Sequence, residues 1–561
     1  MPVSKVYRKS IPRHAHSLTS RSYGDMDMGV LVPFFCREIY PADKLKISLS
    51  AMFETRALSA PLKNNIKARF YFFFVPYRLM WSNWEKFIFG GKDGDYVAEP
   101  PYFWSNRNKI LDYKSLWDYL GFPPNSLDGP KVTEYLEKLK VSAFPFCAYQ
   151  MIWKDWFRNE NFSADYWDFE NVGSNWLNDG ANGASAYGSD PNRVYLADLR
   201  RVPWSRNYFT SALPFRQRGS ANRVPLSGTA FLHFLQTDGL DRGRATAQDL
   251  VAFNGASQTG NAVPLGKTLT QASAESVSSS VNSIQTNPNA EPKFLGINGS
   301  DLQGFTITEL RLLAKIQEFA EINARFGYRY IEGLRGHFNV SPTDSRLDRP
   351  EFIGGSSQYV SVSEILQTSE SGATPQGTPT GRGYSFSDGR IGSYFAREHG
   401  LVMGVMSIMP EQIYTQGIPR EWTRRSKEEF FSPEFNGLSE QEVRVKEVFA
   451  DPSMSAAELD RVFGYVPAWE ELRCGKNMAV GNLRNPDQKD LYAWTQARHF
   501  ESAPVLGESF IYGDQKNSNG GIRTDAWFTG NAASPFFFSI LTRVKKISTV
   551  SKSGTPGITR I

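Results

Sequence analysis

The sequence offers few groups arranged for catalysis or metal binding. Six histidines are scattered along the chain, and none belongs to an HExxH motif or to a His/Cys cluster with metal-ligand spacing. The acid pairs Glu428-Glu429 and Glu470-Glu471 could serve a glycoside hydrolase, but adjacent acids more commonly belong to a solvated face. Gly266-Lys267-Thr268 has the ending of a phosphate-binding loop, yet position 261 is Asn where that loop needs glycine. These residues predict no enzyme, no cofactor and no metal.

Cys36, Cys147 and Cys474 are far apart and odd in number, so they form neither a disulfide framework nor a metal-binding pair. We expect reduced, buried thiols of a cytosolic protein. No apolar h-region follows the N-terminal charges, so we expect no export signal. No apolar run approaches the roughly 18 residues of a membrane-spanning helix, so we expect no membrane partner.

Both ends of the chain are basic, although the net charge is only +5. Residues 1–21 and 543–561 contain five cations each and no acid. Basic ends neutralise phosphate and release counterions, which favours a nucleic-acid partner, with neighbouring subunits or an acidic partner as the alternative. The candidate DNA contacts, made to phosphate, are Lys5, Arg8, Lys9, Arg13, Arg21, Lys545 and Lys546. Aromatic rings that could stack on unpaired bases lie beside them at Tyr7, His14, His16 and Tyr23.

Tryptophans are concentrated in the first third of the chain. Packing in the core or at a subunit interface is the favoured use, and the candidate anchors are Trp81, Trp84, Trp153 and Trp156. Stacking on sugars is the alternative, which would make the protein an all-β carbohydrate-binding adhesin.

Apolar patterning predicts strands separated by long excursions. Apolar and polar residues alternate from Lys46 to Glu54, as in a half-buried strand. The segment Ile66 to Val75 ends in a solid apolar run typical of a strand buried on both faces. Further strands are predicted at Gly29–Ile39, Leu401–Met409, Val505–Tyr512 and Phe536–Val544. A sheet assembled from such distant pieces needs long connections.

The connections contain helix signals and two loop-like segments. Helices are predicted over Met151–Asn159, between Thr306 and Gly327, and after the capping pair Ser455 and Glu458. Residues 237–301 contain only two aromatics in 65 residues, which predicts a surface excursion. Residues 368–390 are predicted as a second loop rich in Gly, Ser, Thr and Pro.

Several sequence blocks resemble the major capsid protein of microviruses, in particular the gokushovirus branch. The sharpest block is Phe73-Phe74-Val75-Pro76-Tyr77-Arg78-Leu79-Met80-Trp81. Others, in order, are Asp27–Pro33, Leu116–Gly121, Tyr208–Pro214, Arg346–Gly355 and Met406–Pro410. Collinear matches cover most of the chain except residues 237–301 and 368–390.

The resemblance implies a mainly β fold: a single eight-stranded viral jelly-roll barrel with long inserted loops and helices. The expected organisation is a basic arm at 1–24 and one capsid domain at 25–561, with a basic C-terminal tail at 543–561. Within that domain, residues 237–301 are the expected three-fold protrusion.

By the same resemblance, the protein is not an enzyme. It is expected to assemble with copies of itself into an icosahedral T=1 virion shell around circular single-stranded DNA, in the cytoplasm of a bacterial host. Implied partners are minor virion proteins such as a DNA pilot protein and a small internal DNA-binding protein. A bacterial surface receptor is a further expected partner, contacted through the exposed insertion.

Overall fold

The structure is a computed structural model. Between residues 12 and 552 it describes the chain except for segments 60–64, 90–95, 104, 106–107, 128–129, 164–194, 217–231, 236–240, 245–249, 254–262, 265–282, 287–293, 298–306, 327–342, 345–347, 367–375, 377–378, 438–439, 485–493, 495–496, 516–517 and 529–534. The chain divides into two compact units, one formed by Met1–Arg216 with Arg329–Ile561 and the other by Gln217–Tyr328.

The strands of the larger unit are β1 (His14–Ser17), β2 (Ser20–Met26), β3 (Val32–Ile39), β4 (Lys44–Thr55), β5 (Ile66–Pro76), β12 (Glu351–Leu366), β13 (Pro379–Phe395), β14 (Gly400–Pro410), β15 (Glu440–Arg444), β16 (Val462–Pro467) and β17 (Phe536–Ser548). Its helices are α1 (Tyr77–Met80), α2 (Trp84–Phe89), α3 (Leu116–Tyr119), α4 (Pro130–Leu139), α5 (Phe144–Ile152), α7 (Val445–Val448), α8 (Ala456–Leu459), α9 (Glu508–Ile511) and α10 (Thr524–Trp527). A π-helical turn, Trp153–Phe157, continues α5. No helix among the described residues is long and apolar enough to cross a membrane.

The smaller unit contains short strands and one long helix. These are β6 (Leu232–Leu235), β7 (Asp241–Arg244), β8 (Leu250–Phe253), β9 (Val263–Pro264), β10 (Ser283–Thr286), β11 (Phe294–Ile297) and α6 (Ile307–Phe326). The strands form two three-stranded sheets, ordered β10-β8-β9 and β11-β6-β7. The segment predicted as a surface excursion thus contains sheet structure, and α6 confirms the helix predicted between Thr306 and Gly327.

The main sheet is a long hairpin rolled into a barrel. Eight of its strands pair first with last along the chain: β2 with β17, β3 with β14, β4 with β13, and β5 with β12, all antiparallel. The resulting order is β2-β17-β4-β13 followed by β12-β5-β14-β3, with β1 added beside β17. The Ser22 hydroxyl donates to the Phe34 carbonyl at 2.7 Å and so links β2 to β3. This curled antiparallel sheet confirms the predicted mainly β jelly-roll fold.

The insertions of this unit lie in the connection between β5 and β12, apart from Gln217–Tyr328, and in the connection between β14 and β17. Strand β14 and the adjoining residues 32–35 of β3 and 72–76 of β5 are buried on both faces because inserted helices cover their outer side. Phe72 and Phe74 face the barrel interior, whereas Phe73 and Val75 face a second core formed with α1, α3 and α5. Burial of alternate residues in two different cores explains the solid apolar run at the end of β5. By contrast, β2, β17, β4 and β13 expose alternate residues on their outer side.

Five expectations need correction. Residues Val505–Tyr512 contain helix α9, because a four-residue turn buries Phe510 and Ile511 without strand pairing. The capping pair Ser455 and Glu458 starts only the short helix α8, and Val462 already begins β16.

Residues 379–390, assigned to a loop, belong to β13. Glycine suits that strand because a Cβ at Gly383 would lie 2.5 Å from Thr55 Cγ2. Residues 543–548, assigned to a basic tail, form the second half of β17, where cations alternate with inward-facing residues. The N-terminal arm likewise contains β1 and most of β2 from residue 14 onward.

Candidate nucleic-acid interface

The groups that could have carried catalysis are used for structure. Glu471 is buried and accepts a hydrogen bond from Arg424 Nη2 at 2.7 Å. Glu429 accepts backbone hydrogen bonds at the start of a 3₁₀ turn. The three cysteines are free, and burial raises the pKa of Cys36 to about 12. Within the described part of the chain, no group of three or more His, Cys, Asp and Glu could hold a metal. Gly266-Lys267-Thr268 lies outside the described residues.

The four tryptophans proposed as anchors make their contacts inside the subunit. Trp81 is fully buried, and Trp84 packs 4.5 Å from the Tyr77 ring. Trp153 Nε1 donates to the Arg201 carbonyl at 2.8 Å.

Trp156 is half-buried, with its ring 5.2 Å from that of Phe73 and the Arg349 guanidinium 4.2 Å from its centroid. Because the aromatic faces of these four tryptophans are engaged in packing, they give no support to a carbohydrate-binding adhesin.

Exposed cations lie on the outer side of the sheet β2-β17-β4-β13, which we call the open face. Alternation along β4 and β17 directs Lys44, Lys46, Arg543 and Lys545 outward, and β13 adds Arg390. Like charges directly opposite each other destabilise a sheet. The register nevertheless places Lys46 opposite Lys545, and no carboxylate among the described residues lies within ion-pair distance of either. An anionic partner bound on this face would offset that repulsion.

Carboxylates also occur on the open face, among them Asp388 of β13 and Glu54 of β4, which is paired with Arg382 of β13. Ser50 Oγ donates to Asp388 Oδ1, and Arg543 Nη1 lies 2.8 Å from the same oxygen. These two hydrogen bonds lower the pKa of Asp388. Arg543 is therefore partly neutralised within the subunit, whereas Lys46 and Lys545 have no such partner among the described residues.

Exposed aromatic rings lie on the same open face, farther along its strands than the cations. Tyr23 of β2 is 83% exposed, and Phe386 and Tyr384 of β13 are 62% and 51% exposed. Register aligns Tyr23 with Ser539, Met52 and Phe386 across successive strands. Exposed rings beside a row of cations are the combination that binds single-stranded nucleic acid, since bases stack on the rings while cations contact phosphates.

The candidate DNA contacts predicted from the sequence differ in where they lie and in how exposed they are. Lys5, Arg8 and Lys9 lie outside the described residues. Arg13, Arg21 and Lys545 are exposed, with Arg21 and Lys545 on the open face.

Lys546, the neighbour of Lys545, points to the other side of the sheet. Its Nζ lies 2.6 Å from Asp43 Oδ2, and the two side chains are 9% and 0% exposed. The charge of Lys546 is thus satisfied inside the subunit, which leaves it unavailable to an external phosphate.

Sequence reasoning did not select Lys44, Lys46, Arg390 and the two aromatics of β13. The alternation over Lys46 to Glu54 already placed Lys46 on the polar side of a strand. The missing information was the pairing of β4 with β17 and β13, since these strands are hundreds of residues apart.

Comparison with known proteins points to one family. Residues 4–555 match the family described as capsid protein (F protein). Capsid protein VP1 of Chlamydia phage 1 is 30% identical over 568 residues, which cover 91% of this chain and 90% of the relative. Capsid protein VP1 of Bdellovibrio phage phiMH2K is 30% identical over 508 residues, 88% and 87% of the two chains. Capsid protein VP1 of Spiroplasma virus 4 is 27% identical over 521 residues, 90% and 89% of the two chains.

These relatives confirm the predicted resemblance to gokushovirus capsid proteins. Capsid proteins are structural components of the virion and not enzymes. A jelly-roll barrel and a match over nearly the entire length agree on the assignment. The chain therefore belongs to the phage capsid protein (F protein) family.

Proposed function

We propose that this capsid protein assembles into a closed icosahedral T=1 shell around circular single-stranded DNA, with the open face turned toward the genome. The observation that carries the DNA part is the unneutralised row on that face, where Lys46 and Lys545 lie opposite each other. Such a row is unfavourable in an empty subunit and favourable against phosphate.

The DNA contacts that we propose combine the basic N-terminus with the open face. They are Lys5, Arg8, Lys9, Arg13, Arg21, Lys44, Lys46 and Lys545. Lys546 is omitted because it is buried against Asp43. Contacts of this type are made to phosphate and carry no base information, which suits a shell that must cover every part of a genome.

Assembly follows from the physics of closed point groups. An icosahedral shell needs heterologous contacts whose rotations close at the five-fold and three-fold axes. Each contact can be weak, because every subunit binds several neighbours at once and the shell is multivalent. The long insertions, residues 77–350 and 411–535, supply surface beyond the barrel for these contacts.

The partners that we propose beyond DNA and copies of this chain are a DNA pilot protein, a small internal DNA-binding protein and a bacterial surface receptor. We propose that assembly takes place in the cytoplasm of the bacterial host. An acidic protein partner is the alternative for the basic row, and nuclease protection of the packaged DNA separates the two.

Residues 237–301 are proposed as an exterior protrusion at the three-fold axes that contributes to host attachment. Their low aromatic content supports an exposed position. Particles lacking residues 237–301 should still form and should adsorb more slowly to host cells. Unchanged adsorption by infectious deleted particles would contradict the attachment role.

Electron microscopy of protein purified from its native source, combined with nuclease digestion of the same sample, tests the proposed function. We expect closed shells of uniform size that contain nuclease-resistant single-stranded DNA. Monomers without protected DNA from that source would overturn the proposal.

A further inference from the structure

A cavity of about 850 Å³ opens in the larger unit where β5 begins and β14 ends. Its volume lies within the range of about 300–1,000 Å³ typical of small-molecule sites. The walls come from three parts of the chain that meet there: the strand ends, residues 205–209 and residues 411–484.

The cavity wall has more cations than acids. The cations are Lys67, Arg69, Arg206, Lys476 and Arg484, and the acids are Glu411, Glu421 and Glu447. All three acids have partners within the subunit. Tyr208 donates to Glu447 at 2.8 Å, Asn65 Nδ2 donates to Glu411 at 3.2 Å, and Lys476 Nζ lies 3.9 Å from Glu421.

Several of the cations keep donors free for a ligand. Arg69 uses Nη2 to bond Ser205 Oγ at 3.0 Å and also hydrogen-bonds Tyr71, whereas a guanidinium has five N–H donors in all. Lys67 rests with Nζ 5.2 Å from the centroid of the Tyr359 ring, and the Arg206 side chain is exposed. The cavity therefore favours an anion, and the guanidinium geometry suits phosphate.

Aromatic side chains also line the cavity, beside these cations. Trp422 is 77% exposed and Tyr359 is 56% exposed, and both line the cavity. Exposed Trp and Tyr rings beside cations accept a ligand that combines an aromatic ring with a negative charge. An apolar peptide would leave the surplus cations without partners, so the charge balance favours a nucleotide over a peptide.

The cavity lies on the same side of the main sheet as the open face. Tyr359 of β12 lies opposite Lys67 of β5, and β12 pairs with β13, the strand that carries Phe386 and Arg390. Side chains that point outward on β13 thus lead, strand by strand, to the rim of the cavity. A DNA strand that follows the open face reaches this rim without crossing the barrel wall.

We propose that this cavity binds one unpaired nucleotide of the enclosed strand, with its phosphate held by Lys67 and Arg69 and its base stacked on Trp422. This inference rests on the proposed function and adds a defined nucleotide site to a phosphate-binding face. Packaged DNA would then be held at one regular position per subunit as well as by diffuse charge.

Ultraviolet cross-linking of intact particles, followed by digestion and mass spectrometry, tests the site. We expect nucleotide adducts on peptides containing Trp422 or Tyr359, in addition to adducts on open-face peptides containing Tyr23. Trp422→Ala particles should lose the first adduct and keep the open-face adduct. Because Trp422 is mostly exposed, this variant should fold.

A solution measurement on the purified full-length protein uses dTMP as the probe. Tryptophan fluorescence should report dTMP binding, and Arg69→Ala should weaken it by about tenfold through loss of a charge-assisted contact. Lys138→Ala, which removes an exposed cation outside the open face and the cavity, should leave dTMP affinity unchanged.

The outcomes separate the two proposals. Adducts confined to the open face would overturn the nucleotide site and leave the proposed function intact. Adducts at neither place would overturn both. A peptide of another virion protein cross-linked to Trp422 in place of nucleotide would overturn the ligand class.

Discussion

Lys545 and Lys546 show how far one position along a strand changes the role of the same residue type. Lys545 faces outward on the open face, whereas Lys546 is paired with the fully buried Asp43. Burial makes the second charge structural, since removing one partner leaves an uncompensated charge inside the protein.

Substitution of Lys546 should therefore lower stability strongly, whereas substitution of Lys545 should have little effect on stability. Lys546→Ala should lower the free energy of unfolding by about 3–5 kcal/mol, because Asp43 would stay buried without its counterion. Lys545→Ala should change stability by no more than about 0.5 kcal/mol. Urea unfolding of the two purified variants measures both effects.

The same pair should differ in DNA binding. Lys545→Ala should reduce the slope of log affinity against log salt by about 1, as expected for one lost phosphate contact. Lys546→Ala, at a temperature where it remains folded, should leave that slope unchanged. An equal loss of slope in both variants would contradict the assignment of Lys546 to the interior.

Glu471 predicts a pH dependence of stability. Burial opposes its ionisation, but hydrogen bonds from Gln441 and Arg424 outweigh burial and lower its pKa. A carboxyl whose folded pKa is lowered contributes stability above its unfolded pKa of about 4.3, and that contribution is lost as pH falls through the folded pKa.

Glu471→Gln should thus cost about 3–5 kcal/mol at neutral pH, because Arg424 would be buried without a counterion. The difference from the natural protein should shrink at a pH below the lowered pKa of Glu471, where its carboxyl becomes protonated. Urea unfolding at both pH values measures the change, with the exposed Glu428→Gln as control. A difference that stays constant with pH would contradict the role of the charge.

Element-scale patterns were predicted from sequence where the periodicity was strong. The alternation at Lys46–Glu54 and the apolar run at Ile66–Val75 gave β4 and β5 nearly at their observed bounds. Strand β13 escaped prediction because its glycines, such as Gly383, make room for side chains of neighbouring strands and produce the composition of a loop. Pairing between distant strands leaves no local signal, so the open face could not be assembled from sequence alone.

Strand β2 closes the barrel and should be required for folding. A chain lacking residues 1–26 would expose the edge of β17 and uncover the inward-facing residues Phe536 and Ile540, both fully buried. We expect this chain to aggregate on expression. Size-exclusion chromatography of the soluble fraction measures the outcome.

A chain lacking only residues 1–19 is the matched control. It keeps β2 and should remain soluble and folded, although it loses four N-terminal cations. A soluble, cooperatively unfolding chain after removal of residues 1–26 would show that β2 is not part of the essential barrel.

At the scale of the whole molecule, the open face should govern how firmly a shell retains its genome. Particles with Lys46→Ala and Lys545→Ala should assemble, because neither side chain contributes to the barrel interior. They should release DNA at lower salt concentration than natural particles, since fewer phosphates are neutralised. Nuclease sensitivity across a salt series measures this release.

Particles carrying Lys138→Ala and Lys427→Ala provide a control with the same loss of charge outside the open face. Equal salt sensitivity in the two sets of particles would contradict an open face directed toward the genome and would favour a contact with another protein.

First-with-last strand pairing also sets the timing of folding during synthesis. Strand β17 lies between β2 and β4, and the ribosome makes it after every other strand of the main sheet. At about 5–20 residues per second, β2 and β4 wait for roughly half a minute or longer before their common partner exists. Truncated chains from damaged or incomplete messages cannot close the barrel. Because β17 pairs with both β2 and β4, a chain that ends before β17 leaves these two strands without their common partner.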